Sequence, residues 1–136
     1  MKPVFPAALV LALCLACSAH AATAIQENIV LWRFHFGLGV GDMAVGQDKM
    51  RAFVDDVLTP AFPNGMTITE ARGQWRSEEH GLIRERTVLV DVQCPDTDAS
   101  RAAVEAAAAA YVQRFKAAKA SVFVVRQAPA TTTLYY

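Results

Sequence analysis

Between residues 29 and 38 the chain alternates. Val30, Trp32, Phe34 and Phe36 fall on one side of an extended segment, and Ile29, Leu31, Arg33 and His35 fall on the other. The first set is uniformly large and apolar, so it is the predicted core face. A loop with glycines at 37, 39, 41 and 46 leads into QDKMRAFVDDVLTPAF, where Met50, Phe53, Val54, Val57 and Leu58 recur at helical spacing. Asp48 fits a cap or a first-turn anion. Pro60 is expected to end this helix near Leu58 or Thr59, because proline disfavours helical geometry in the residue before it. Asn64-Gly65 then marks a turn.

MTITEARGQW reads as a second strand in which neither face is cleanly apolar, which suits a sheet edge. The polar tip SEEHG turns the chain into LIRERTVLVDVQC, where Val88, Val90, Val92 and Cys94 oppose Leu89, Asp91 and Gln93. The two strands make a hairpin. Pro95 stops the strand and DTDAS supplies helix caps. RAAVEAAAAAYVQRFKAAKA is rich in the best helix former and has no internal glycine or proline. Its expected buried stripe is Val104, Ala108, Tyr111, Val112 and Phe115, with Lys116 and Lys119 at the negative end. SVFVVRQ is a last strand, closed by Pro129, and the tail TTTLYY is a candidate for a further short extended piece.

Strand, helix, strand, strand, helix, strand is the split βαβ order of a ferredoxin-like α+β fold. It predicts an antiparallel four-stranded sheet with two helices on one face, the first and third strands central and the second and fourth at the edges.

The first residues stand outside that pattern. MKPVFPAALVLALCLACSAHA has one positive charge, an apolar run and the small-residue ending Ala19-His20-Ala21, which predicts a signal peptide over 1–21, removed before Ala22. A second candidate cut follows Ala22-Thr23-Ala24. The run is shorter than the roughly 20 residues a membrane span needs. Cys17 follows Cys14-Leu15-Ala16, and only the last position fits a lipidation motif, so export is favoured over a lipid anchor. The mature chain, residues 22–136, is then one exported, periplasmic or secreted domain with its core over about 28–127.

The whole chain carries 13 Lys+Arg against 13 Asp+Glu. Losing Lys2 with the leader shifts the balance to about −1. Near-neutrality argues against nucleic acid, which needs a basic face; Arg72, Arg76, Arg84 and Arg86 look scattered in the linear sequence. Of 3 cysteines, Cys14 and Cys17 leave with the signal. Cys94 cannot staple the domain; it reads as a buried inert thiol or a link between two copies.

Some of these words resemble a known family. FGLG after the first strand, FVDDVLTPAFPNGMTITEARGQWR and GLIRERTVLV are similar to the uncharacterised bacterial exported domain-of-unknown-function 3574 family. Thr59-Pro60 with Phe62-Pro63-x-Gly65, and Gly73-Gln74-Trp75-Arg76 followed by Arg84-Glu85, carry the likeness from Trp32 to the last strand. Two departures stand beside it: the lipidation motif is poor, and the TTTLYY tail is not matched to a pattern of the family. The resemblance implies a leader sequence and no catalytic residues, because the family has no assigned activity.

Candidate chemistry gathers at the hairpin. Gln74, Arg76, Arg84 and Glu85 flank its tip with Trp75 among them, a ligand mouth in which arginines clamp an anion and Trp75 stacks on an aromatic group. The competing reading pairs these charges across a wet sheet and packs Trp75 under the turn. His35 and Arg33 should neighbour Glu85, Thr87, Leu89 and Asp91, where a histidine beside a carboxylate is either a general base or a structural contact. Leu31, Leu89, Phe123 and Val125 form an expected self-association patch on the open sheet face, consistent with a homodimer. GLGVGD lacks dinucleotide-fingerprint spacing, no metal-ligand spacing occurs, and no cofactor is implied. The leading reading is a ligand-binding or protein-interaction module. The alternative is a small cofactor-free enzyme of the dimeric ferredoxin-like type, with His35 and the Gln74-to-Glu85 cluster around a cavity.

Overall fold

In the computed structural model, which describes residues 25–127 and 130–134, the alternating apolar positions close against two helical segments. The predicted signal peptide with its predicted cut site, Cys14 and Cys17, Pro129 and the last two tyrosines lie outside the described residues. Strand β1 (Ile25–Gly37) is followed by α1 (Gln47–Phe53), a π-helical stretch (Val54–Leu58) and a terminal turn α2 (Thr59–Ala61). Then come β2 (Thr67–Ser77), β3 (Gly81–Pro95), α3 (Asp98–Arg114), β4 (Ser121–Arg126) and β5 (Ala130–Leu134).

The sheet order is β2-β3-β1-β4, and every pairing is antiparallel. The first and third strands are therefore central and the second and fourth flank them, as the element order predicts. The fold is α+β, an open antiparallel sheet with two helical segments. One strand exceeds the four expected: β5, from the tail, pairs with the start of β1, which itself begins at Ile25 rather than Ile29. Leu31 O still accepts from Gln127 N at 2.9 Å. Between Trp32↔Arg126 and Ile29↔Ala130 the pairing then slips by one residue.

Val30, Phe34 and Phe36 on β1 and Val90 and Val92 on β3 are almost wholly buried, and they face Phe53, Leu58, Val104 and Tyr111 from the helices. An aromatic cluster forms the centre. Phe36 lies 5.2 Å from Phe34, 5.7 Å from Phe53 and 4.6 Å from Tyr111 between ring centroids. The helix stripes hold in outline. On α3, however, Ala107 is buried and Val112 is 45% exposed. Thr97 caps α3, accepting from Ser100 N at 3.1 Å. Gly46, not Asp48, is the N-cap of α1, and Asp48 is its first-turn anion.

Pro60 does not end the first helical segment at Leu58 or Thr59; the helix runs to Ala61. Ahead of the proline the turns widen, so Thr59 N donates to Val54 O, five residues back. A proline has no N–H to give and its ring crowds the carbonyl four residues earlier, and a wider turn relieves both problems. Phe62 N then closes on Leu58 O at 2.9 Å.

Candidate functional site

The sheet has a second face with no helix on it. The registers put Leu31, Arg33 and His35 of β1 there, beside Gln93, Asp91 and Leu89 of β3, with Val125 and Phe123 of β4 across from Arg33 and His35. Further along the hairpin, Thr87, Glu85 and Ile83 oppose Ala71, Gly73 and Trp75 on the same face.

β1 ends at Gly37, opposite Thr87, and the chain leaves it through Leu38, whose N–H bonds to Arg86 O at 3.0 Å. That exit brings Gly39 N to 3.0 Å from Glu85 Oε2. From the other side, Trp75 Nε1 donates to Glu85 Oε1 at 3.2 Å. The carboxylate thus has one donor on each oxygen, from segments 46 and 10 residues away in sequence. It lies over Gly37, where an added Cβ would stand 2.9 Å from both oxygens. Across β2, a Cβ on Gly73 would meet Thr87 Oγ1 at 2.6 Å. The missing side chain at Gly37 thus makes the recess in which the Glu85 carboxylate is held, and the one at Gly73 leaves room for the neighbouring Thr87. Tyr111 supports its floor from α3, donating to Gly37 O at 2.9 Å. Burial first, and then the negative charge of Glu85, push the Tyr111 phenol above its ordinary value, so it stays protonated and keeps donating.

Trp75 is 51% exposed, so it does not pack under the turn. Its edge is fixed by Glu85, and half its surface is open to a ligand. No described cation lies within ion-pair distance of Glu85; the ion pairs among the described residues are Arg33–Asp91, His80–Glu79, Arg114–Asp56 and Arg126–Asp96.

The six residues singled out from the sequence do not form one cluster. Trp75, Glu85 and His35 share the open face, whereas Gln74 opposes Arg84, and Arg76 opposes Leu82, on the reverse of the hairpin. The arginines therefore cannot clamp a ligand that Trp75 stacks on, because strand neighbours point to opposite faces. The pairing instead collects Arg72, Arg86, Arg84 and Arg76 on that reverse face, all exposed. Only the antiparallel register reveals this collection. Because Arg76 and Arg84 are exposed and belong to none of the described ion pairs, replacing both by alanine should change stability by no more than about 0.5 kcal/mol in urea denaturation. A loss of several kcal/mol would mean that these arginines are part of a buried network.

No described hydrogen bond joins His35 to a carboxylate, although it lies close enough to Asp91 to act on it electrostatically. Asp91 is taken by Arg33, with Nε–Oδ1 and Nη2–Oδ2 both at 2.6 Å. The Arg33 hydrogen bond holds the Asp91 carboxyl below its ordinary value, and the guanidinium is raised in return. A carboxyl with a depressed folded-state pKa adds stability above its unfolded value of about 3.9, and loses that contribution as pH falls through the folded one. The wild type should lose more of its urea midpoint between pH 5 and pH 2 than Asp91→Asn. Equal losses would deny the pair any stabilising role.

Two cavities among the described residues lie elsewhere. One of about 230 Å³ is lined by Phe62, Val92, Cys94 and Ala103, and one of about 530 Å³ by Met43, Val45, Arg114 and Phe115. Neither includes His35, Trp75 or Glu85. Cys94 is half-buried and packs against the core. Among the described residues no group of three or more His, Cys, Asp or Glu side chains could hold a metal ion, and no helix is long and apolar enough to cross a membrane.

Comparison with solved structures shows which proteins share this fold. A phage SAM lyase in complex with S-methyl-5'-thioadenosine aligns at a TM-score of 0.58 and 16% identity, covering 81% of this chain and 92% of that one. Its apo state aligns at 0.55 and 16%, over 82% and 90%. CutA from Synechococcus elongatus in complex with a Bis-Tris molecule aligns at 0.51 and 8%, over 79% and 89%. At such identities the likeness is one of fold. Among curated proteins nothing matches the chain. Residues 32–133 match the family described as a protein of unknown function, DUF3574. The stretch spans the whole of the β2–β3 hairpin and both helical segments, and the chain belongs to that family.

Proposed function

We propose that this is an exported ligand-binding domain, with its site on the open sheet face at Trp75 and Glu85. The observation that carries the reading is the Glu85 carboxylate, held by two N–H donors from separate segments, in a recess framed by glycines, beside a half-exposed indole. Such pre-positioning is what a binding group needs and a solvated surface charge does not. His35 lies further along the same face and takes no part in the recess.

The same face supports self-association. Phe123 is 70% and Val125 46% exposed, beside half-buried Leu31 and Leu89. A stripe of that kind on an uncovered sheet is best covered by a second copy, in a symmetric homodimer. It lies on the β1–β4 side, and Trp75 is on the opposite edge strand, so both functions fit on one face.

Native mass spectrometry of the protein isolated from its exported location tests both parts. A dimer that Phe123→Asp converts to a monomer, or a stoichiometric small-molecule adduct lost in Trp75→Leu, supports the reading. A monomer without an adduct, unchanged by either substitution, counts against it.

A further inference from the structure

We infer that the group recognised at Trp75 and Glu85 is an organic cation, an ammonium or sulfonium type of ligand, and not the anion that the nearby arginines suggest. This rests on the ligand-binding reading above and adds the sign and class of the ligand. Three features of the molecule converge on it.

The first is charge. Glu85 is half-buried and accepts from two neutral donors, the Trp75 indole and the Gly39 backbone, each on a different oxygen. Its hydrogen bonds orient it without neutralising it, and each oxygen keeps acceptor capacity. The second is the arrangement of the cations. The four hairpin arginines stand on the reverse face of the ribbon, and Arg33 on the open face is committed to Asp91 through two bonds. No described cation at the recess competes with a positively charged ligand.

The third is the ring. The indole edge is tied to the carboxylate while half of Trp75 remains exposed, so a ligand cation can meet both the negative face of the π-system and the carboxylate. That combination recognises alkylated onium groups. A hard metal ion is a poor match, since calcium takes 6–8 oxygen ligands and this recess offers one side-chain carboxylate. The absent side chain at Gly37 shapes the recess by letting the Glu85 carboxylate lie over β1, and the one at Gly73, on the paired strand, leaves room for Thr87 Oγ1.

Choline and its neutral isostere 3,3-dimethyl-1-butanol are suitable probes, since they differ chiefly in charge. The full-length mature protein would be titrated with each while the Trp75 indole N–H resonance is followed by NMR. Trp32, buried in the core, serves as the internal reference. Choline should shift the Trp75 signal at concentrations at least about ten-fold lower than the alcohol, which corresponds to about 1.4 kcal/mol. Glu85→Gln keeps the side chain's size and should erase that difference, and Gly37→Ala, which displaces the carboxylate while leaving its charge, should reduce it. Far-UV circular dichroism confirms that both variants are folded. Equal response to the two probes would overturn the cation inference and leave the site standing. A Trp75 signal that neither probe moves would overturn the site itself.

Discussion

Phe36→Ala should remove about 3–5 kcal/mol of stability, the usual cost of emptying a buried aromatic position. Phe36 has no exposed surface and is flanked in the sheet by Val88 and Val122. Its ring touches one neighbour along the strand, Phe34, and one from each helical segment, Phe53 and Tyr111. The void would open where the sheet and both helical segments meet, among side chains that are themselves buried in the core cluster. A domain of this size has about 5–15 kcal/mol in total, so one substitution consumes a large share. The thermal midpoint should fall by at least about 10 °C, given roughly 4–8 °C per kcal/mol in small domains. Urea denaturation of Phe36→Leu beside Phe36→Ala separates lost volume from lost ring. An alanine variant within about 1 kcal/mol of wild type would mean that the aromatic cluster does not anchor the core.

Gly39→Ala is the second large effect. Gly39 has φ +76°, a conformation that costs an ordinary residue about 1–2 kcal/mol. An added Cβ would also stand 2.6 Å from Ala118 O, a backbone atom that cannot rotate away. The expected loss is therefore more than about 2 kcal/mol. Gly41→Ala is the matched control, because Gly41 has φ +71° and nothing within 4 Å of the added carbon. It should lose only the conformational part, and the difference between the two variants measures the clash. Because Gly39 N holds Glu85, the first variant should also loosen the Trp75 indole hydrogen bond, visible as a shifted indole N–H resonance. Indistinguishable denaturation curves for the two variants would show that Ala118 yields and that the close approach is not a constraint.

Much of the frame was legible in the linear pattern. Strict alternation at Val30, Trp32, Phe34 and Phe36 is a local property of one strand, and so is the helical recurrence of Met50, Phe53 and Leu58. The linear pattern misleads where a residue's role depends on what is packed beside it. Val112 has the right spacing for burial, but α3 turns Ala107 inward instead. Pro60 reads as a stop, and a widening of the helix ahead of it carries the chain to Ala61. The tail has a weak strand signal of its own; the pairing of Ala130–Leu134 with residues 25–29 of β1 supplies the missing hydrogen bonds.

The candidate site was half legible. Trp75 and Glu85 stand in a charged, aromatic stretch of sequence, and both belong to the recess. Their neighbours in sequence do not, since Gln74, Arg76 and Arg84 turn to the other face. Nothing in the linear chain pointed to Gly37, Gly39, Gly73 or Tyr111 as members. A glycine contributes through the side chain it lacks, and that has meaning only when the atoms filling its space are known.

By itself the sequence determined the order of elements, the core face of each central strand and the α+β class, because hydrophobic periodicity and turn chemistry act over a few residues. The tertiary structure decided which faces those residues share. Antiparallel register sorted the hairpin into an arginine face and a Trp75–Glu85 face, and the exit of β1 at Gly37 carried Gly39 N to the carboxylate from 46 residues away. Charges near in sequence were separated and groups distant in sequence were joined, since a strand reverses its side chains at every residue and only pairing fixes what each one meets.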